Sequence, residues 1–471
     1  RYLSPANAAL LVYRPNAAAQ FAAESGFVRA TLAAEVERVA PAQEMPRAPA
    51  ILARNGADSE GEDHGIRRFR TGGGVPVLVQ RRAGSPLVHI GMFALGGVVA
   101  EPNASVGMST LLVRGALKGT RALSGDQIAE VSEGLGGSIS ASVSPEASGW
   151  MLSVAVSRFE EAVALLAHVV QQPSFAAGAI DTERAIALAQ LEQLRDDMMR
   201  YPIRLAVEAA FEGHPYSRVT LGDEETLLAV TAGDVAAWHA ERLLRGHSVI
   251  AIVGDVEPDL AARLAAAAFC DLALTNGAAV SPPTWPASHT MRSESRDKAQ
   301  SALALAFPGP DRTNTQRFAA EVLTAIASGL GGRFFDELRD KKSLAYTVHV
   351  HAMQRRRAGA IVAYIATSPD KEDAARAGLL AEFAKLRTDL VTAEELQRAQ
   401  NYLVGSHAIA RQSGASVLGE IVDAWLLGEG LQELDEYERS IRGVNAGDIR
   451  ELARQAFDPN RRVEGVVRGK A

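Results

Sequence analysis

The chain of 471 residues is poor in the features that usually announce chemistry or location. It has a single cysteine, Cys270, so no intrachain disulfide can form. Cys270 lies in the alanine-rich run AAAAFCDLAL, where a small buried core residue is expected. No uninterrupted apolar run reaches the roughly 18 residues that a membrane-spanning helix needs. The longest apolar stretch, Leu87 to Ala100, is broken by glycines, carries His89 and reads as strand. Net charge is −7 with no basic block, which argues against a nucleic-acid partner. There is no GxSxG, no P-loop and no GxGxxG, and no two of the 10 histidines stand four apart. His349 and His351 share one face of a strand, but the sequence shows no third ligand to complete a metal site with them.

What is present is ordinary globular material, 47% hydrophobic and 6% aromatic, with room for about two to four domains. It contains a repeat. TAGDVAAWHAERLLRGHSVIAIV from Thr231 aligns without a gap with NAGDIRELARQAFDPNRRVEGVV from Asn445. Each begins with an N-cap residue, Thr231 or Asn445. Asp234 or Asp448 follows three residues later, where its carboxylate can accept the cap's free N–H. A helix, a short turn and a β-rich strand complete the unit, so the chain is expected to hold two copies of one domain. Residues 1–15, RYLSPANAALLVYRP, resemble the turn and strand that close each copy. They are expected to be the terminal strand of a preceding homologous domain. Residues 16–65 read as a connector: an amphipathic helix to about Ala40, then prolines and the polar stretch ARNGADSEGEDHG, expected as a surface loop. The first domain is then 66–280 and the second 281–471, with the boundary in SPPTWPAS.

Within each copy the pattern reads strand, strand, helix, strand, several helices and a final strand. VPVLVQRR, LVHIGMFAL and SALALAF alternate or run apolar as strands do. SISASVS, from Ser138, alternates small polar with apolar residues, so one face of that strand is wet. Ser124 with Gln127, and Thr392 with Glu395, have the spacing of capping boxes that open helices. The fold class is α+β: two homologous domains, each a mostly antiparallel sheet packed with helices.

Gly107 to Thr120, GMSTLLVRGALKGT, is similar to the frame GxxHFLEHMxFKGT, the zinc-binding helix of the pitrilysin/insulinase metallopeptidase family. Gly107, Leu112, Lys118, Gly119 and Thr120 keep the frame. Thr110 and Arg114 stand where the family has its ligand histidines, and Val113 stands where it has the catalytic glutamate. In ERAIALAQ, Glu183 matches a family glutamate, but the ligand position seven residues on is Gln190. A working site needs imidazoles at i and i+4 with a carboxylate between them as base. Here those groups are a hydroxyl, an alkane and a guanidinium that cannot lose its proton. No metal and no catalytic residue is therefore expected in this chain alone.

SGLGGRFFDELRDKKSLAYTVHV, Ser328 to Val350, resembles the family's second signature, a Gly-rich turn followed by RLFxEIRExxGLAYSV. Arg339 and Tyr346 fall on its substrate-contacting arginine and tyrosine. GHPYSRVTLGDEE, ATSPDK and TAEELQRAQNYLVGS also fit, so the resemblance covers about residues 66–471. It implies a chamber of two halves, one bearing zinc. The other half often lacks zinc and supplies the arginine–tyrosine pair. This chain is expected to be that second half, with peptide as substrate and zinc on the partner half, upstream of Arg1 or on a separate subunit. The segment Ser140, Ala141 and Ser142 matches the edge strand that pairs with substrate. The expected location is a bacterial periplasm or cell envelope rather than the cytoplasm. The alternative is a catalytically inert structural or peptide-binding scaffold of the same fold.

Overall fold

The apolar runs of the sequence become the middle strands of two sheets. The computed structural model describes residues 46–50, 56–275, 280–329, 331–345 and 347–470. The terminal strand expected at 1–15 and the helix expected from residue 16 lie outside the described residues. Arg47–Ala471 forms a compact unit by itself.

The first sheet has seven strands: β1 (Ala57–Asp63), β2 (Ile66–Thr71), β3 (Pro76–Arg81), β4 (Leu87–Leu95), β5 (Ser138–Val143), β6 (Ala147–Ala155) and β7 (Ser248–Gly254). Their order is β1-β2-β3-β7-β4-β6-β5. The second has five: β8 (Thr290–Ser295), β9 (Ser301–Gly309), β10 (Thr347–Gln354), β11 (Gly359–Thr367) and β12 (Val463–Arg468), in the order β10-β11-β9-β12-β8. Read from its parallel pair, each sheet has the same plan. β3 runs parallel to β7 as β8 does to β12, and the remaining three strands follow antiparallel in the same succession. The aligned repeat segments end in the matching strands β7 and β12. Each is preceded by a helix with a reciprocal cap: Thr231 N–H to Asp234 at 2.9 Å, and Asn445 N–H to Asp448 at 2.8 Å.

Packing explains the composition of the central strands. Every residue of β7 is buried, which requires a continuous apolar run rather than alternation. One face of the first sheet packs on α1 (Met108–Ala116) and α2 (Phe159–Gln171), with α3 (Ala177–Asp196) beyond α1. The helices that cover the remaining faces are exchanged between halves. α4 (Arg200–Ala210), from the first half, lays Ala206 and Val207 against Ala304, Ala306 and Val463 of the second sheet. α5 (Gly414–Leu426), from the second half, lays Val417, Leu418 and Ile421 against Val249, Ala251 and Val253 of the first. Burying each of these valine, leucine and isoleucine side chains is worth about 1.5–3 kcal/mol, so this exchange ties the halves together. It also explains Gly465 in β12, where a Cβ would stand 1.9 Å from the Pro202 carbonyl oxygen of α4.

Three sequence expectations change. Ala57 to Asp63, read as part of a polar loop, is strand β1 paired antiparallel with β2. Its side chains stay largely in water and its pairing is backed by ion pairs such as Glu60–Arg70 at 2.6 Å, so it lacks the apolar alternation that marks a strand. Each copy also has a strand that the pattern lacked before its last one, β6 and β11, each joined to the preceding strand by a tight turn, and the first copy adds β2 as well. Cys270 is exposed, because the helix Pro258–Ala268 ends before it.

Candidate functional site

The helix that carries the motif starts at an unusual cap. Gly107 is its N-cap residue with φ +99°, and a Cβ there would come within 2.7 Å of the Leu221 carbonyl oxygen. No side chain of the cap itself bonds the helix. Glu101 takes over that role: its carboxyl accepts the N–H of Gly107 at 2.7 Å and of Ser109 at 2.5 Å. A negative group at a helix N-terminus is favoured by the helix dipole. Burial pushes the Glu101 carboxyl up, and these hydrogen bonds oppose that shift. The sequence offers only an acid six residues before the glycine as a sign of this contact.

The four degenerate motif positions are all occupied by structural contacts. Thr110 is buried and its hydroxyl donates to the Thr220 carbonyl. Val113 is buried in the first core, and its carbonyl accepts Trp150 Nε1–H at 2.8 Å. Arg114 Nη1 donates to Gln190 Oε1 at 2.9 Å. The positions of the second histidine and of the distal glutamate therefore do meet, but as an arginine–glutamine hydrogen bond between α1 and α3. Seven residues is close to two helical turns, so Glu183 and Gln190 lie on one face of α3. Glu183 is buried and pairs with Lys118 at 3.0 Å.

These residues do not fit zinc. Arg114 offers five donors, no acceptor and a fixed positive charge. The Thr110 hydroxyl is spent on a carbonyl, and a neutral amide is a poor substitute for a carboxylate. Among the described residues no group of three or more histidine, cysteine, aspartate or glutamate side chains is placed to hold a metal ion. The His349 and His351 rings stand 5.6 Å apart on β10. Burial, with the neighbouring His349, drives His351 down to about 4.

The second signature is held by a charged clasp. Arg333 Nε and Nη2 meet the two oxygens of Glu395 at 3.0 and 2.8 Å. Burial pushes Glu395 up, but Arg333 and the Thr392 cap hold its carboxyl at about 2. Arg339 lies 4.4 Å from the Phe335 ring centroid and 3.9 Å from Asp340, with its side chain 36% exposed. Tyr346 lies outside the described residues. Ser140, Ala141 and Ser142 belong to β5, the end strand of the first sheet. Ser140 and Ser142 are exposed and Ala141 packs partly against the core.

One joint had no sign in the sequence. Glu146, in the β5–β6 turn, is buried and accepts the Tyr216 hydroxyl at 2.5 Å and the Arg356 backbone N–H at 3.0 Å. The Arg357 N–H reaches the same hydroxyl at 3.2 Å, and Arg355 Nη1 donates to the Tyr216 carbonyl at 2.6 Å. Burial, then Glu146, push the Tyr216 phenol strongly up, so it stays a donor. A hairpin turn of each sheet is thereby tied to one tyrosine.

Comparison with known proteins places this geometry. Residues 76–224 match the family described as insulinase (peptidase family M16), and residues 229–403 match the peptidase M16 inactive domain. An uncharacterized zinc protease of Streptomyces coelicolor is 25% identical over 425 residues, covering 87% of this chain and 92% of that protein. The crystal structure of a peptidase M16 inactive domain from Pseudomonas fluorescens superposes with a TM-score of 0.80 at 21% identity, covering 86% of this chain and 98% of the other. A protease from Helicobacter pylori gives a TM-score of 0.79 at 18% identity, covering 86% and 99%.

Proposed function

Because this chain belongs to the insulinase (peptidase M16) family, we propose that it is a non-catalytic half, closing a peptide-binding chamber against a homologous half that bears zinc. The observation that carries this reading is the Arg114–Gln190 hydrogen bond. It joins the two helices at the positions where a metal would need ligands, and it puts a permanent cation there. Hydrolysis of a peptide then uses the zinc and the general base of the other half, and no step runs through Thr110, Val113, Arg114 or Gln190.

This chain's contribution is binding and polarisation. Arg339 and Tyr346 carry the family signature, and a guanidinium with a phenol suits a peptide carbonyl on its way to an oxyanion. The outer edge of β5, with small side chains at Ser140, Ala141 and Ser142, suits an extended peptide added as a further strand. The zinc-bearing half stands on the same polypeptide or on a separate subunit.

The test is assembly followed by activity. The chain is mixed with a homologous half carrying HxxEH, mass is followed by light scattering, and cleavage of a quenched peptide is measured. A one-to-one complex that cleaves faster than the zinc-bearing half alone is the expected result. A chain that ignores that half, and adds nothing to its rate, favours the inert structural or peptide-binding scaffold.

A further inference from the structure

Apart from the motif helix's metal positions and the second signature, the unit holds a cavity of about 420 Å³ whose walls are rich in guanidinium groups. Arg242 reaches it from the helical turn His239–Leu243 that continues the first copy's capped helix, Arg245 from the turn after it, and Arg356 and Arg357 from the β10–β11 turn. Trp238 and His247 complete this lining. The volume lies within the range of small-molecule sites, roughly 300–1,000 Å³.

The charges are not balanced by the protein. Among the described residues, the side chains of Arg242, Arg245, Arg356 and Arg357 make no ion pair. Arg242 lies 5.4 Å from the Trp238 ring centroid, which orients it without neutralising it. Two carboxyls also line the cavity, Glu146 and Glu241. Glu146 is already committed to Tyr216 and to the Arg356 N–H. Four arginines, three of them exposed, thus line one space with two acids, and like charges so placed repel one another. The arginine fork matches the oxygens of a phosphate or carboxylate in pairs.

We propose that this cavity binds a small oxyanion carrying two or more negative charges, held by the Arg245, Arg356 and Arg357 forks with Arg242 and Trp238 beside it. The site does not depend on a zinc-bearing half, since its lining comes from this chain. The environment of His247 agrees with an excess of positive charge: burial first, then Arg356, lower its affinity for a proton.

The experiment titrates the full chain by isothermal calorimetry at constant ionic strength, with inorganic pyrophosphate in one arm and citrate in the other. Saturable binding of one ligand per chain is expected in at least one arm, and the arm that binds tighter identifies a phosphoryl or a carboxylate ligand. The Arg245→Gln, Arg356→Gln double variant should bind the preferred anion at least about tenfold more weakly. Its melting temperature without ligand should be equal to or above that of the wild type, since repulsion is relieved. Heat no greater than that of added chloride in both arms, or undiminished binding by the variant, overturns the proposal. Should the variant not fold, arginine modification of the wild-type chain by phenylglyoxal decides. Protection of Arg245, Arg356 and Arg357 by the anion, mapped by mass spectrometry, supports the site, and modification at an unchanged rate refutes it.

Discussion

Removing the Glu146 carboxyl should loosen the joint between the two hairpin turns at a cost that follows from its contacts. In Glu146→Ala the Tyr216 hydroxyl loses its acceptor at 2.5 Å and the Arg356 N–H loses its acceptor at 3.0 Å. Glu146 is 6% exposed and Tyr216 is 0% exposed, so water cannot easily replace the lost partner. Each donor left unsatisfied costs about 1–3 kcal/mol, which gives about 2–6 kcal/mol for the variant. Tyr216→Phe removes two bonds, the one to Glu146 and the one from the Arg357 N–H, while keeping the ring packed against Phe211, and should cost about 1–3 kcal/mol. The two effects share a contact, so the double variant should be less destabilised than their sum by roughly 0.5–3 kcal/mol. Guanidinium denaturation followed by circular dichroism at several wavelengths reads all three values. A Glu146→Ala chain within about 0.5 kcal/mol of the wild type would refute the reasoning, because a surface acid behaves that way.

Two other predictions concern titration and catalysis. His351 is held at about 4 against an ordinary 6.5, so the folded chain resists its protonation. The stability it contributes is complete above 6.5 and is lost as pH falls from 6.5 towards about 4. His351→Gln should therefore flatten the fall of melting temperature across that window, while His168 and His239, also lowered by burial, keep the rest of the slope. Superimposable profiles would contradict it. If this chain assembles with a zinc-bearing half as proposed, Arg339→Ala and Tyr346→Phe in that complex should each lower kcat more than they raise KM, by roughly 10²–10³ in rate, with metal content unchanged. Wild-type rates in both variants would remove these residues from the reaction.

Much of this was legible because it is local. The caps at Thr231, Asn445, Ser124 and Thr392 are each written within four residues, and all four form. The repeat was legible because β7 and β12 occupy the same place in sheets of one plan, so they meet the same demand for apolar residues. The emptied metal motif was visible as substituted letters. That Arg114 and Gln190 bond to one another was not, since it depends on how α1 and α3 pack. Glu146 was invisible for a similar reason: its partners stand 70 and 210 residues away, and nothing in SPEAS marks it as buried. Strand β1 escaped because charged cross-strand pairs, rather than an apolar face, accompany its pairing. The exposure of Cys270 turned on where one helix stops.

The central claim is that the motif helix has exchanged metal binding for packing, and zinc content tests it most directly. The purified chain is dialysed against trace zinc, then against buffer free of it, and the metal is counted by inductively coupled plasma mass spectrometry. With Arg114 bonded to Gln190, and threonine and valine at the remaining positions, the chain should retain no stoichiometric zinc. One tightly held zinc per chain, lost when Arg114 or Gln190 is replaced by alanine, would contradict it.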